Sequence, residues 1–415
     1  MSERPRGPVV DFDHHSAEFN ADPVAAWRVL QQQCPVAYSE HYGGYWIVSD
    51  YEGNQETLKN WAVFSSARIP TNSGDQGIVV PGAPMDSGVI IYPEELDPPE
   101  HTSVRRLLNA QLSPVASKAM QPRIEHWTTK CVDSVIEAGE CDLLYDITGP
   151  VPAYVTLEWL GYPLDKALEA GQIMHDLLGY PPTSERWLTA LSNVETIQQT
   201  LAETVAARRK EPRDDAISWF LTQEIDGEPV DDDTLVALGI VLVGGGVDTT
   251  TGLTSSTLVH CNRDHELRRR LVAEPGLLEM ATEEFLRLYP PLASVARTAN
   301  QDFELRGCPV RQGDRVLVSR QGANIDEREF ESPDTFVPQR FPNRHVSFGL
   351  GPHRCPGSHL ARLMFQEMIR QILTRMPDYE LDEEQLVPYP DRGNSTGWAS
   401  LPTRFTPGTR IGGAA

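Results

Sequence analysis

The stretch Phe348-Gly349-Leu350-Gly351-Pro352-His353-Arg354-Cys355-Pro356-Gly357 sets one cysteine among glycines and prolines, just before a helical pattern over 358–376. Glycine opens backbone conformations that are closed to other residues, and proline fixes φ and removes a donor. Such a loop can fold tightly round one sulfur and direct backbone N–H groups at it. This arrangement suits a thiolate metal ligand, whose charge and redox behaviour are tuned by hydrogen bonds to the sulfur. A glycine-rich turn that ends in a structural cysteine is the simpler alternative.

The composition is that of an ordinary globular protein, with 40% hydrophobic and 23% charged residues among 415. The formal net charge of −23 argues against binding to nucleic acid or to anionic membranes, because both need a basic surface. The six cysteines include no Cys-x-x-Cys pair, which indicates a reducing compartment rather than a disulfide framework or a zinc site. No signal peptide pattern is present, and the longest apolar run, 235–243, is far shorter than the ~20 residues of a membrane span. We therefore expect a cytoplasmic protein without a membrane span.

Helical periodicity dominates the chain, so the fold class is mainly α with a small β portion. A helix begins after Asp97-Pro98-Pro99-Glu100, and the other predicted helices are 22–33, 51–61, 115–139, 149–161, 164–179, 185–210, 213–224, 231–263, 277–289 and 358–376. Short strands are predicted at 45–48, 302–306 and 315–319. The glycine- and proline-rich segment 65–93 is expected to be a lid or substrate loop. Length alone favours two domains, but no flexible linker divides the sequence, so we expect one domain over 1–415.

The longest predicted helix contains Gly244-Gly245-Gly246-Val247-Asp248-Thr249-Thr250. Each glycine in a helix interior costs ~1 kcal/mol relative to alanine, so three together indicate a special requirement. Gly245 and Thr249 are four residues apart and share a face, whereas Asp248 points to a neighbouring one. A flat partner against Gly245 would meet the Thr249 hydroxyl. The alternative is a buried helix whose threonine bonds back to the preceding turn.

Several charged residues say little about function individually and become informative only through their order along the chain. Glu284 and Arg287 are three residues apart on one helix face, a spacing that is common on solvated helices. His101 and Arg105 are four apart at a predicted helix start, and each alone would be an ordinary surface or capping residue.

Taken in their order along the chain, the cysteine loop, the glycine-rich helix and these charged residues resemble the motifs of the cytochrome P-450 monooxygenases. The cysteine loop matches the family's haem-binding pattern as Phe348-x-x-Gly351-x-x-x-Cys355-x-Gly357, and the glycine-rich helix resembles its oxygen-activation motif. The resemblance covers nearly the whole chain. It implies the P-450 fold, a triangular, mostly helical prism with small sheets, in which haem b lies between the long helix 231–263 and the loop 348–357. The extra glycine and threonine beside the oxygen motif leave its register open by one residue.

The resemblance implies a haem-thiolate monooxygenase that activates O2 and inserts one oxygen atom into a C–H bond. Cys355 would be the axial ligand of the haem iron, and Asp248 and Thr249 would deliver protons. The other implied haem contacts are His101, Arg105, Gly245, Arg297, Phe348, Gly349, His353 and Gly357. A buried structural ion network is implied for Glu284, Arg287 and Arg340. The implied substrate contacts are Val89, Val241, Gly244, Ser294, Val295 and Trp398.

The sequence carries no flavin or iron–sulfur motif, so the resemblance implies electrons from NAD(P)H through a separate ferredoxin and ferredoxin reductase. We expect the ferredoxin to dock over a local basic patch formed by Arg105, Arg106, Arg354 and Arg362. The expected substrate is a small lipophilic molecule such as a terpenoid, steroid, fatty acid or aromatic, and the expected state is a monomer. Two alternatives stay open: a peroxide-driven oxygenase, and a haem-based ligand binder or sensor without turnover. Neither needs the Asp248-Thr249 pair.

Overall fold

The computed structural model describes residues 7–84 and 91–412 and shows a mainly helical protein with small sheets. The helices are α1 (Ala17–Ala21), α2 (Pro23–Gln33), α3 (Tyr51–Lys59), α4 (Glu100–Gln111), α5 (Pro114–Ala119), α6 (Gln121–Val135), α7 (Pro150–Leu160), α8 (Ala167–Gly179), α9 (Glu185–Lys210), α10 (Ala216–Phe220), α11 (Asp232–Arg263), α12 (His265–Ala273), α13 (Leu277–Leu288), α14 (Arg320–Asn324) and α15 (Ser358–Arg375). The strands are β1 (Val9–Val10), β2 (Val36–Ser39), β3 (Tyr45–Val48), β4 (Phe64–Ser65), β5 (Asp75–Gln76), β6 (Ala83–Pro84), β7 (Glu140–Asp142), β8 (Glu224–Ile225), β9 (Glu228–Pro229), β10 (Ser294–Ala299), β11 (Phe303–Leu305), β12 (Cys308–Val310), β13 (Arg315–Ser319), β14 (Glu380–Leu381), β15 (Val387–Pro388), β16 (Trp398–Ser400) and β17 (Pro402–Arg404). The predicted fold class is confirmed.

Capping residues fix the helix starts where the sequence predicted them. The Asp22 side chain accepts a 3.0 Å hydrogen bond from the backbone N–H of Ala25, and proline occupies the first position of α2. Asp231 caps α11 in the same way, through a 2.7 Å bond from the backbone N–H of Thr234. These local bonds explain why the predicted starts of α2 and α11 lie within a residue of the observed ones.

Three local predictions were wrong. The single helix predicted over 115–139 is two helices, α5 and α6, because Pro122 lies in the first turn of α6, where its ring is compatible only with a helix start. The helix predicted over 213–224 ends at Phe220, and a β8–β9 hairpin with Gly227 at φ +91° follows. Strand β10 was missed, although every one of its residues is buried.

The largest sheet joins strands from the first 65 residues to two strands between residues 294 and 319, in the order β1-β2-β3-β13-β10-β4. β13 pairs in parallel with β3 and antiparallel with β10, so that Ser294 lies opposite Ser319. Strands β3, β10 and β13 are buried along their whole lengths. Charged residues within these strands or directly after them are therefore held inside the protein.

Helix α11 is the centre of the helical layer and packs against α7, α8, α9 and α15. By length and composition it could span a membrane, since an 18-residue window has a mean hydropathy of 1.5, but 61% of that window is buried inside the protein. Close approach explains two of its glycines. A Cβ on Gly239 would lie 2.7 Å from the Leu201 side chain of α9, and one on Gly246 would lie 2.7 Å from the Thr156 side chain of α7. These properties are those of a buried core helix.

Candidate active site

The loop 348–357 turns back on itself immediately before α15. The backbone N–H of Cys355 donates a 2.8 Å hydrogen bond to the carbonyl oxygen of Phe348, which closes the loop. Gly349 and Gly351 have φ values of +69° and +67°, in the left-handed region that other residues rarely adopt. A Cβ on Gly351 would also lie 2.4 Å from the Leu58 carbonyl oxygen. The loop conformation therefore requires glycine at both positions.

Positive groups surround the Cys355 thiol. Burial raises the pKa of Cys355 above its usual value, while the backbone N–H of Gly357 and the charges of Arg105 and Arg320 act in the opposite direction. The residue still keeps part of its surface open. Because the net effect is a raised pKa, the thiolate form needs a further positive partner such as a metal ion, which deprotonates the thiol that binds it.

A group of five basic side chains lies beside this loop. Its members are His101, Arg105, Arg297, Arg320 and His353. Burial, followed by the charge of Arg320, lowers the pKa of Arg297 to about 9, and burial lowers that of Arg320 to about 10. Burial and the Arg297 charge lower the pKa of His353 to about 2, and its ring centroid lies 4.2 Å from that of His101. The positive charge of this group therefore resides on its three arginines, while the two histidines are neutral near pH 7.

Three nitrogen atoms of this basic group have unused hydrogen-bonding capacity. Among the described residues, His101 Nδ1, Arg320 Nε and His353 Nε2 are buried nitrogens without a hydrogen-bond partner. Buried polar groups are normally paired, so three such nitrogens in one basic group indicate an anionic ligand. Haem b brings two propionate carboxylates, and the basic group fits them. In the same described ranges, no cluster of three His, Cys, Asp or Glu side chains could hold a metal ion without a further group.

The glycine-rich segment of α11 has one open face. A Cβ on Gly245 would meet nothing within 4 Å, and the Thr249 hydroxyl donates a 2.8 Å hydrogen bond to the Gly245 carbonyl oxygen on that face. Thr250 is buried. Gly244 lies toward α8 instead, where a Cβ would be 3.3 Å from the Met174 sulfur. The structure therefore places Thr249, and not Thr250, beside the open space.

Asp248 is only 4% exposed and does not bond to Thr249. Its Oδ1 lies 2.8 Å from His175 Nδ1, and its Oδ2 accepts a 2.6 Å hydrogen bond from the Tyr389 hydroxyl. The resemblance implied that Asp248 and Thr249 deliver protons, and the sequence singled out neither His175 nor Tyr389.

The three ion-network residues meet in the interior. Glu284 and Arg287 are fully buried, and both Glu284 oxygens accept 2.8 Å hydrogen bonds from the Arg287 guanidinium. Arg340 Nε lies 3.0 Å from Glu284 Oε2, and the backbone N–H of Val337 donates to Oε1 at 3.0 Å. Although burial opposes ionisation, these bonds hold the pKa of Glu284 below its usual value.

The described residues among the predicted substrate contacts lie on three elements, α11, β10 and β16. Ser294 is buried, and its hydroxyl donates a 2.6 Å hydrogen bond to the Gly393 carbonyl oxygen, so it is used within the protein. Val295 follows it on β10, and Val241 and Trp398 are half-buried on α11 and β16. Val89 lies outside the described residues.

Two charged residues near Cys355, Arg320 and Glu94, were not predicted as site residues. Arg320 begins α14 directly after a buried strand, which is the only sequence signal for its burial. Glu94 has a buried Oε2 without a partner in the described part of the chain, and burial raises its pKa to about 7. Its charge also acts on Cys355 and Arg105.

Comparison with known proteins agrees with this geometry. The cytochrome P450 family model matches residues 174–405. The chain is 29% identical to the steroid C26-monooxygenase of Mycobacterium tuberculosis (strain ATCC 25618 / H37Rv), over 99% of this chain and 100% of that protein. It is 28% identical to cytochrome P450-terp of a Pseudomonas species, over 92% and 93% of the two chains. The crystal structure of CYP109E1 from Bacillus megaterium in complex with testosterone superposes with a TM-score of 0.80, at 26% identity, over 93% and 99% of the chains.

The fold, the cysteine loop and the basic group thus define an oxidoreductase that incorporates oxygen from O2 with a haem cofactor. The chain belongs to the cytochrome P450 family.

Proposed function

We propose that Cys355 is the axial thiolate ligand of the haem iron in this monooxygenase. The observation that carries the proposal is the Cys355 sulfur in its closed loop beside three arginines, where the Gly357 N–H and the charges of Arg105 and Arg320 lower the pKa of Cys355 against burial. His101, Arg105, Arg297, Arg320 and His353 would bind the propionates. Gly245, Phe348, Gly349 and Gly357 would border the macrocycle. Thiolate-ligated haem, when bound, supplies the activation of O2 and the transfer of one oxygen atom to a C–H bond.

Asp248 and Thr249 are proposed to supply the protons that this reaction consumes. The support is the position of the Thr249 hydroxyl on the open face beside Gly245 and of the Asp248 carboxylate one residue earlier on α11. The Thr249 hydroxyl can donate only a proton that it regains, so a carboxylic acid within reach allows repeated delivery. Glu284, Arg287 and Arg340 remain structural in this scheme, because they bond to one another, to backbone carbonyls and to the Asn343 side chain.

The proposed substrate is a small, rigid lipophilic molecule of the steroid or terpenoid class. One relative is a steroid C26-monooxygenase, and one neighbouring structure holds testosterone. Val241, Gly244, Val295 and Trp398 offer small or apolar contacts that suit such a molecule, and Val89 belongs to the same set. A buried apolar site binds such a compound mainly by removing its surface from water.

Electrons are proposed to come from NAD(P)H through a ferredoxin reductase and a ferredoxin. Of the basic patch predicted for docking, Arg106 and Arg354 are exposed. Arg362 is paired with Glu283 through bonds of 2.6 and 2.7 Å, and Arg105 donates to the Arg354 carbonyl oxygen. The docking role therefore falls to Arg106 and Arg354, because the other two charges are engaged.

We further propose that residues 1–415 act as one domain, as a monomer in the cytoplasm. The pairing of β3, near one end of the sequence, with β13 supports a single folding unit. The net charge of −23 favours a dispersed monomer by mutual repulsion.

A ligand screen tests the proposal. Purified holoenzyme is titrated with steroids, monoterpenoids, fatty acids and simple aromatics, and the Soret band is followed. Compounds that shift the band are then incubated under ¹⁸O2 with NAD(P)H, ferredoxin and reductase. We expect a steroid or terpenoid to shift the band and to gain one ¹⁸O atom. A product that forms with hydrogen peroxide but not with NAD(P)H and the redox partners would contradict the proposed electron route. Spectral shifts without any product would contradict the proposed activity.

A further inference from the structure

A buried three-residue cluster holds the carboxylate of Asp248. We call His175 and Tyr389 the Asp248 clamp, because each binds a different carboxylate oxygen. His175 Nδ1 lies 2.8 Å from Oδ1, the Tyr389 hydroxyl donates to Oδ2 at 2.6 Å, and the two clamp residues lie 3.2 Å apart. His175 is on α8, Asp248 on α11, and Tyr389 follows β15. Three separate elements thus meet at one carboxylate.

The position of Tyr389 is built into the fold. Its ring lies between Gly179, at the end of α8, and Gly397, where a Cβ on either glycine would come within 2.7 Å of the ring. The Tyr389 backbone N–H donates to the Gly397 carbonyl oxygen at 3.0 Å, and the Asp391 N–H donates to that of Gly179 at 3.2 Å. A ring held this closely cannot move its hydroxyl far, so the bond to Asp248 is a fixed feature of the packing.

The neighbouring groups determine which atoms of the clamp carry protons. Burial, followed by the Asp248 charge, holds the pKa of Tyr389 well above its usual value, so the hydroxyl keeps its proton and donates it to Asp248. His175 Nδ1 then faces two acceptors, the Asp248 carboxylate and the Tyr389 hydroxyl oxygen, because the hydroxyl donates its own proton to Asp248. We assign the His175 proton to Nδ1, because only a donor there satisfies both oxygens. His175 Nε2 is buried and has no partner among the described residues.

Other charges near the clamp are already paired. Asp176 and Tyr180 also act on Tyr389, and Asp176 accepts a 2.8 Å hydrogen bond from Arg186. Asp248 is therefore the carboxylate that both clamp donors bind.

We propose that His175 and Tyr389 are positioning residues that hold the Asp248 carboxylate away from Thr249, so that proton delivery requires the clamp to open. The proposal rests on the proton role proposed above for Asp248 and Thr249. In the structure, both carboxylate oxygens are bound by the clamp, and the Thr249 hydroxyl donates to the Gly245 carbonyl instead. Asp248 does not bond to Thr249 in this conformation, so its carboxylate must turn to serve Thr249, and turning breaks at least one clamp bond. Hydrogen bonds to charged groups are the stronger kind, so this opening limits how readily the acid serves the threonine.

Tyr389→Phe tests the clamp because it deletes one donor and keeps the ring between its two glycines. Loss of a hydrogen bond to a charged group should favour the open clamp by roughly tenfold or more. The solvent deuterium isotope effect on coupled turnover of the reconstituted holoenzyme should therefore fall toward unity. His175→Leu should act likewise, whereas His175→Asn should stay near wild type because its amide N–H replaces the donor at Nδ1. Tyr379→Phe is the matched control, since the Tyr379 hydroxyl is buried and donates to the Leu258 carbonyl of the same α11 at 2.7 Å.

A second measurement does not depend on turnover. In ¹⁵N-histidine-labelled holoenzyme, reduced and saturated with carbon monoxide, the His175 imidazole signals are assigned by their loss in His175→Asn. We expect the proton on Nδ1, with a downfield shift that decreases in Asp248→Asn, because an amide oxygen is a weaker acceptor than a carboxylate. A His175 proton on Nε2 would contradict the clamp geometry.

The variants separate the two proposals. If Asp248→Asn changes turnover and the isotope effect but Tyr389→Phe and His175→Leu do not, the clamp has no control over proton delivery and the inference is wrong. If Asp248→Asn changes neither, the proton role of Asp248 itself is wrong. An isotope effect that falls equally in Tyr379→Phe would show a general loosening of α11, which also contradicts the clamp.

Discussion

The Thr249 hydroxyl donates a 2.8 Å hydrogen bond to the carbonyl oxygen of Gly245, one turn earlier on α11. The bond lies on the face where a Cβ at Gly245 would meet open space, and Thr250 is buried. A threonine that bonds back to the preceding turn keeps its hydroxyl close to the helix. Of the two threonines, Thr249 is therefore the one to test for the proposed proton delivery.

Thr249→Ala should uncouple the enzyme. Without the hydroxyl, NAD(P)H should be consumed at a rate near wild type while hydrogen peroxide replaces product. We expect product per NAD(P)H to fall on the order of tenfold, equivalent to about 1.4 kcal/mol in the partition between the two outcomes. Asp248→Asn should instead slow turnover and raise the solvent isotope effect, because the acid itself is lost. Thr250→Ala is the control, and uncoupling there but not at Thr249 would move the register by one residue.

Cys355→Ser should abolish the strongly red-shifted Soret band that thiolate-ligated haem shows when reduced under carbon monoxide. Serine removes the sulfur whose thiolate form the Gly357 N–H and the two arginines stabilise. Cys355→His should give the spectrum of a nitrogen-ligated haem. Cys34→Ser is the matched control, since the Cys34 thiol is half-buried and bonds only to the Val36 carbonyl at 2.9 Å. Retention of the band in Cys355→Ser would refute the ligand assignment.

Arg354→Glu and Arg106→Glu should slow reduction by ferredoxin and flatten its dependence on salt. Both arginines are exposed, and charge steering is lost as the Debye length shrinks from about 10 Å at 0.1 M salt to about 3 Å at 1 M. Stopped-flow reduction at several ionic strengths measures the effect. Arg269→Glu makes the same charge change on exposed α12, where Arg269 pairs with Glu266. Equal slowing in all three variants would mean that overall charge, and not the docking patch, sets the rate.

Glu284→Gln should destabilise the holoenzyme strongly. It removes the one carboxylate shared by Arg287 and Arg340 and leaves a fully buried guanidinium without its counter-charge. Breaking a buried ion pair in this way costs about 3–5 kcal/mol of unfolding free energy. Denaturant unfolding followed by circular dichroism measures the loss. Glu279→Gln, on the exposed side of the same helix, should change stability by less than about 0.5 kcal/mol.

His15→Asn should lower stability more at pH 6 than at pH 9. Burial alone lowers the pKa of His15, but the hydrogen bond and charge of Asp391 outweigh it, so the net pKa is raised above 6.5. A raised folded-state pKa contributes stability that is complete below the unfolded value and lost as pH rises through the folded one. The contact is a 2.7 Å bond from His15 Nδ1 to Asp391, with His15 Nε2 at 2.7 Å from the Val80 carbonyl.

His41→Asn provides the comparison for this pH dependence. His41 also faces a carboxylate, that of Asp11 at 2.8 Å, but both side chains are exposed. Exposed pairs contribute little, so thermal unfolding of this variant should differ from wild type by about 1 kcal/mol or less at either pH. A pH dependence of equal size in His15→Asn and His41→Asn would contradict the role of the buried pair.

Local patterns predicted the fold class and the positions of most helices. Asp22 and Pro23 marked a helix start, and the pattern over 185–210 gave α9 with both ends correct, because capping and periodicity act over a few residues. The missed strand β10 has the opposite cause. Whether Ser294–Ala299 forms a strand depends on β13 and β4, which lie elsewhere in the sequence.

The sequence by itself determined the cysteine loop, the glycine-rich helix segment and the order of the ion-network residues, because each is a short pattern with its own backbone or helix-face requirement. Only the tertiary structure decided which side chains surround them. His175 lies 73 residues from Asp248 and 214 from Tyr389, and a lone histidine on a helix is no different in sequence from a core histidine with ordinary partners. Arg320 likewise lies near Cys355 because it directly follows the buried strand β13. Periodicity fixes which face of an element is buried, but the packing of elements distant in sequence fixes what that face meets.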